Sequence, residues 1–461
     1  MEIRRNNPVE GAYNQEVEQD KSEFYDAVVA EFETEIEKAK NLDQDEFITA
    51  ARGLLRTIMI SLRHKFGTIS GQETVYHLLP DPEDPNRENP LIVLGTGHCG
   101  YAEMGGCSMC SFGESAKRDV SEQEIDEAFE LAKKSNDRYD APGSQAVFNI
   151  NAIGSFFGVS ELSDERRRYI LDKVKGYKQE HQDKNVIFVT ESRFEDITEE
   201  SMAALREKLG ENIPIEIGFG VESTNDLARE AIVGKGLDPE WREKMEILKK
   251  YKIDCALHMM FGLPFLNERE QVADSVNSVR DCLAMTGDYD RILLMVMNKK
   301  PGTLVDAMAK DGKYKLPNVA QAAETVIRLG RQISAKDLKK ILVFGLIFPE
   351  GAKEAGAEGL KIATPEEQKI MDILLNWRST PEELISLEAA FSALPADVYD
   401  TSLLDRELPA IDEERIKSDM LKQYIKILAE IYCPNEKDPK KAAEIVDGIL
   451  DLASQMGGSI K

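Results

Sequence analysis

Leu91-Ile92-Val93-Leu94-Gly95-Thr96-Gly97-His98-Cys99-Gly100-Tyr101-Ala102-Glu103-Met104-Gly105-Gly106-Cys107-Ser108-Met109-Cys110-Ser111-Phe112 passes from a short apolar run straight into a glycine-rich loop that holds three cysteines. Leu91 to Gly95 reads as a buried strand, because an aliphatic run this short and closed by glycine suits a strand better than a helix. The cysteines follow it at a spacing of C-x7-C-x2-C. Clustered thiolates favour an iron–sulfur cluster or zinc. A structural zinc wants four ligands, whereas three cysteines leave one metal position open. Two other readings stand beside the cluster: a zinc site completed by His98, although His98 adjoins Cys99 and the pair is awkward for joint ligation, and burial of the cysteines as small hydrophobes.

Beyond the loop, short apolar runs alternate with charged helical stretches. Gln145 to Ile150, Val186 to Thr190, Ile215 to Phe219, Cys255 to Phe261 and Arg291 to Met297 read as further strands, with Ile341 to Phe348 as a candidate seventh. Between them lie helix candidates at Glu122 to Ser135, Asp164 to Lys175, Glu199 to Leu209, Pro239 to Tyr251 and Glu268 to Ala284. Continuous apolar strands separated by amphipathic helices predict an α/β fold with a parallel sheet, curled by right-handed crossovers into a full or partial (β/α) barrel. Functional residues then belong at the carboxyl ends of the strands. Lys21 to His64 reads as amphipathic helix, and Pro80, Pro82, Pro85 and Pro90 as a linker. Pro365-Glu366-Glu367 and Pro381-Glu382-Glu383 read as helix starts in an acidic C-terminal region. The expected organisation is a helical N-terminal extension over 1–85, a core barrel over 86–350 and a helical C-terminal region over 351–461.

With 42% hydrophobic and 31% charged residues, the chain of 461 residues has globular composition. No apolar run reaches the roughly eighteen residues that cross a bilayer, and the opening residues lack a signal-peptide core, so no membrane partner and a cytoplasmic location are expected. Six cysteines in a chain this long fit a reducing compartment better than a disulfide framework. A net charge of −26 opposes attraction to phosphate backbones and favours a small-molecule substrate over RNA.

On the cysteine loop and four further motifs, the stretch from about Leu91 to Leu304 resembles the radical S-adenosylmethionine (SAM) superfamily. It is most similar to the branch that holds the Elongator catalytic subunit and the archaeosine synthase radical SAM subunit. The superfamily's usual spacing is C-x3-C-x2-C, so the longer first gap is a departure. The resemblance implies a partial (β/α)6 TIM-like radical SAM barrel with one [4Fe-4S] cluster on Cys99, Cys107 and Cys110. It also implies reductive cleavage of SAM to a 5′-deoxyadenosyl radical, an oxygen-sensitive enzyme, and a one-electron reductant such as flavodoxin or ferredoxin. Its SAM-binding motifs fall on Asn149, Gly154 and Ser155 after the second predicted strand, where the acid of the commoner form is missing. They continue on Glu191 and Arg193 after the third, on Gly220 and Glu222 after the fourth, and on Gly262 and Leu263 after the fifth. Glu191 and Arg193 could equally form a helix cap or an internal ion pair. A tRNA carrying a lysine-modified deazaguanine, the archaeosine-like alternative, is the second substrate class implied. No catalytic residue is singled out: His258 could face the barrel interior by alternation, and Cys255, Cys282 and Cys433 read as buried thiols.

Overall fold

Apolar residues recur along each predicted strand because both faces of the sheet meet protein: one packs on helices, the other lines an interior. A computed structural model describes residues 23–66, 73–80, 87–97, 99–111, 118–139, 141, 143–288, 290–346 and 360–457. Among the described residues eight strands form one sheet in sequential order: β1 (Val75–Pro80), β2 (Glu88–Val93), β3 (Gln145–Asn151), β4 (Asn185–Ser192), β5 (Ile215–Glu222), β6 (Asp254–Phe261), β7 (Arg291–Val296) and β8 (Ile341–Phe344). β2 to β8 are parallel. The sheet curls so that Leu79 of β1 and Phe344 of β8 line the same lumen as Val147, Val189 and Leu293. This is the partial TIM-like barrel expected, with the candidate seventh parallel strand present as β8.

β1 is a correction to the predicted proline linker. It pairs antiparallel with β2, placing Pro80 opposite Glu88 and Leu78 opposite Pro90. The prolines are tolerated because Pro80 sits at the end of the edge ladder and the pairing of β2 with β3 begins only at Leu91. Pro82, Pro85, His98, Phe112 and Phe348 lie outside the described residues, as do the expected boundaries near 85 and 350. The long N-terminal helix is also interrupted: residues 23–30 are helical, followed by Glu33–Lys40 and Gln44–Phe66. Thr364 and Thr380 cap the helices Pro365–Leu375 and Pro381–Ser392, each by a reciprocal bond with the glutamate at the third helical position.

The outward face of the sheet, with Phe148, Phe188, Ile217, Leu257 and Ile292, packs on the crossover helices in one large core. A second core joins the helices Gln44–Phe66 and Glu413–Tyr432 to the π-helical turn Leu227–Val233 after β5 and to Leu263, Phe265 and Leu304 beyond β6 and β7. The helices from the two ends of the chain therefore pack together against the loops at the carboxyl ends of the strands.

Candidate active site at the carboxyl ends of the strands

The cysteine loop leaves β2 and turns through the short helix Gly100–Glu103. Cys99 precedes that helix in extended conformation, Cys107 has φ of 56°, and the Cys110 N–H donates to the Cys107 carbonyl at 2.9 Å. A left-handed non-glycine residue persists only where its surroundings over-determine it. Here they do: the loop is clamped from the N-terminal helix by Arg63, 1% exposed, which donates to the carbonyls of Ala102 at 2.6 Å, Gly106 at 2.8 Å and Cys110 at 3.2 Å. On the other side the Ser108 N–H donates to the Val233 carbonyl at 2.8 Å.

A second clamp is Glu161, 1% exposed, which the sequence reading missed. Its carboxylate accepts from the Gly100 N–H at 2.9 Å, from the Ser155 N–H, and from Arg193 at 2.6 Å. One buried carboxylate thus ties the cysteine loop to the turn after β3 and to the end of β4. A Cβ on Gly154 would fall on that carboxylate, so glycine is required there. Arg193 also pairs with Asp196 at 3.2 Å. Burial works against its charge, but Glu161 and Asp196 outweigh it and raise the pKa. Ser155 shares a 2.7 Å hydrogen bond with Ser192.

The third unit lies at the end of β5, where a bulge between Gly220 and Glu222 puts Glu222 at φ of 67°. Its carboxylate accepts from Lys235 at 2.8 Å, and a Cβ on Gly220 would occupy the place of the lysine head. Burial works against the Lys235 charge, but Glu222 outweighs it, raises the pKa and keeps the ammonium charged. Lys235 and Arg193 both lie over the Tyr101 ring, at 6.0 and 5.4 Å. Gly262, at φ of 93°, is covered by Pro317 and accepts from the Tyr314 hydroxyl at 2.6 Å, while Leu263 is buried in the second core.

Asn149 and Glu191 differ from the other candidates in facing the lumen, a cavity of about 330 Å³. His258 joins them there, as strand alternation allowed. Gly218 separates Glu191 from His258: a Cβ on it would meet the imidazole at 2.9 Å and the glutamate stem at 3.1 Å. The candidates therefore fall into lumen-facing groups, Asn149 and Glu191, and groups engaged in the walls, namely Gly154, Ser155, Arg193, Gly220, Glu222, Gly262 and Leu263. Cys255 and Cys282 are buried in the large core behind the sheet, and Cys433 in the second core.

The residues present fit a thiolate-bound cluster. Cys99, Cys107 and Cys110 remain partly accessible, while Ser108 Oγ and Ser111 Oγ beside them are buried with no partner among the described residues. Burial pushes the Cys107 thiol up to about 12 despite Lys235, and raises Cys99 as well, so these two thiols favour the neutral form, and binding a metal would release their protons. Among the described residues no three His, Cys, Asp or Glu groups stand close enough to hold a single metal ion, a closeness that ligands to separate irons do not need.

No family model matches the chain. In sequence it is 28% identical over 229 residues to archaeosine synthase subunit beta of Methanosarcina acetivorans, a match covering 49% of this chain and 62% of that protein. The likeness extends over about half of this chain, in which three clustered cysteines follow the first parallel strand of a partial barrel. A second relative, an uncharacterised protein of Methanocaldococcus jannaschii, is 28% identical over 228 residues, covering 49% of this chain and 60% of that one. The chain thus spans about three fifths of the length of the relatives it matches. Among solved structures, the archaeal Elp3 of Methanocaldococcus infernus overlaps 55% of the chain and 57% of its own at 15% identity, with a TM-score of 0.38, too low an overlap to bear on chemistry. No helix among the described residues is long and apolar enough to cross a membrane.

Proposed function

We propose that the chain is a radical SAM enzyme that cleaves SAM reductively at a [4Fe-4S] cluster on Cys99, Cys107 and Cys110, and acts on a small-molecule biosynthetic substrate. The observation that carries the substrate class is the lumen: at about 330 Å³ it lies at the small end of ligand-pocket sizes, and its walls are mixed, with Glu191, Asn149 and His258 among Leu293, Met295 and Phe344. When bound, the cluster and SAM supply one-electron cleavage of a sulfonium bond, which yields the radical that abstracts hydrogen. A flavodoxin or ferredoxin is the class of reductant this chemistry calls for.

The chain's own residues supply position and exclusion of water. Arg63 and Glu161 hold the cysteine loop from opposite sides, and the Glu222–Lys235 pair fixes the bulged end of β5 beside Cys107. Glu191, without a side-chain partner among the described residues, is free to receive an ammonium or hydroxyl group at the lumen mouth. His258 lies across Gly218 from it and can hold or move a proton at its imidazole. The aliphatic wall keeps water from a reactive centre.

The sequence relationship to an archaeosine synthase subunit supports a second reading, in which the substrate is a lysine-modified deazaguanine carried on tRNA. The test is anaerobic incubation with SAM and dithionite, read for methionine and 5′-deoxyadenosine by mass spectrometry. A protein with its cluster intact that releases neither product refutes the proposal. Titration with bulk tRNA at several salt concentrations separates the readings: tight binding that falls steeply with salt favours RNA, and no binding favours the small molecule.

A further inference from the structure

A second cavity, of about 550 Å³, lies beside the barrel between the loop Lys313–Leu316 and the helix Glu413–Tyr432. It adjoins the end of β6, since Tyr314 in its wall donates to the Gly262 carbonyl and Phe265 and Leu266 form another side. In a chain of net charge −26 its lining is basic: Lys313, Lys315 and Lys422 have no ion-pair partner among the described residues. Arg415 is compensated by Glu270 and by Asp419 at 3.1 Å, which leaves Glu268 as the opposing carboxylate.

Two buried amides line the same cavity with one hydrogen-bonding group each unused. Gln271, 5% exposed, spends its Nε2 on the carbonyls of Leu263 and Leu266, and its Oε1 has no partner among the described residues. Gln321, 2% exposed, accepts from the Asn318 N–H through its Oε1, and its Nε2 is likewise unused. Buried polar groups are ordinarily satisfied, and an orphaned acceptor and donor beside three unpaired ammonium groups call for a ligand that completes them. Such a ligand is anionic, accepts a hydrogen bond, and carries a hydroxyl or amino donor.

We propose that this cavity binds the phosphate and a neighbouring hydroxyl or amino group of a nucleotide-like molecule, with Lys313, Lys315 and Lys422 on the phosphate and Gln321 and Gln271 on the polar edge. The inference rests on the radical SAM reading only for the site's purpose, as a handle that brings a phosphorylated substrate to the barrel; the site itself needs no cluster. Free nucleotides and the backbone of an RNA share this chemistry.

The test is calorimetric titration of the full chain, with iron measured in parallel, against inorganic phosphate, ribose 5-phosphate, mixed 5′-ribonucleotides and bulk tRNA. The hydroxyl-bearing phosphates should bind more tightly than inorganic phosphate, and affinity should fall with salt. Combined Lys313→Ala, Lys315→Ala and Lys422→Ala should weaken binding by about tenfold or more, as loss of charge-assisted bonds implies, while the three Lys→Arg replacements should retain it. Tighter tRNA than nucleotide binding, lost in the alanine variant, assigns the site to RNA; nucleotide binding alone assigns it to a small molecule. Absence of binding to every phosphate-bearing probe, or an alanine variant that binds as the parent does, overturns the proposal. A chain that binds nucleotide but takes up no iron on anaerobic reconstitution would refute the radical SAM reading and leave this site standing.

Discussion

Replacing Arg63 by methionine removes the charge and the hydrogen-bond fork but keeps an unbranched stem in the second core. The guanidinium is 1% exposed and spans three loop carbonyls at 2.6, 2.8 and 3.2 Å. A hydrogen bond to a charged group contributes about 1.5–3 kcal/mol net, so the two shorter bonds alone amount to roughly 3–6 kcal/mol. Whole domains are stable by about 5–15 kcal/mol, and the loss falls on one loop rather than on the sheet. The expected outcome is a folded chain with near-normal far-ultraviolet circular dichroism, a lower melting temperature, and iron incorporation well below the parent's after anaerobic reconstitution. Arg63→Lys should recover little, because an ammonium is a point donor and cannot bridge three carbonyls in fixed directions. The assay is iron and sulfide analysis with the electron paramagnetic resonance spectrum of the reduced protein. Full iron content and an unchanged spectrum in Arg63→Met would refute the view that the N-terminal helix positions the cysteine loop.

Glu191→Ala and Arg193→Ala should separate: Glu191 faces the lumen and its loss should weaken SAM or substrate binding without lowering the melting temperature, whereas Arg193 is tied to Glu161 and its loss should lower both stability and iron content. Equal melting temperatures for the two variants would contradict this division. Burial lifts the Asp274 carboxyl to about 7 from its ordinary 3.8, although it accepts from Ser223. Between those values the folded chain holds a proton that the unfolded chain has lost, so this residue's contribution is present below about pH 4 and disappears as pH rises through about 7, with a slope near 1.4 kcal/mol per unit. Asp274→Asn should flatten the dependence of denaturant stability on pH in that window, and an unaltered slope would show that the carboxyl is not protonated in the fold.

The parallel strands were legible because each carries aliphatic residues on both faces between charged helices, and the cysteine loop because three thiols in twelve residues leave few alternatives. β1 was hidden by its prolines, which are compatible with an edge ladder but read as breakers. Glu161, Lys235 and Arg63 were not legible at all. Glu161 and Arg63 are single charged residues whose roles come from burial against loops distant in the chain, and Lys235 pairs with Glu222 thirteen residues away, beyond the reach of helix or strand periodicity. Alternation along β6 did point His258 inward, whereas the partners of Arg193 lie 3 and 32 residues away, and only the nearer is within reach of local patterning. The helical character of both chain ends was readable from their periodicity, but their packing on each other over the strand ends was not, since no local pattern encodes a contact between residue 65 and residue 430.

The most direct test of the central claim is anaerobic reconstitution followed by metal analysis and electron paramagnetic resonance with and without SAM. The account predicts about four irons per chain, a reduced-cluster signal that changes when SAM is added because one iron is open, and loss of both on Cys99→Ala, Cys107→Ala or Cys110→Ala but not on substitution of Cys255, Cys282 or Cys433. Stoichiometric zinc without iron, or a cluster whose spectrum ignores SAM, would contradict it.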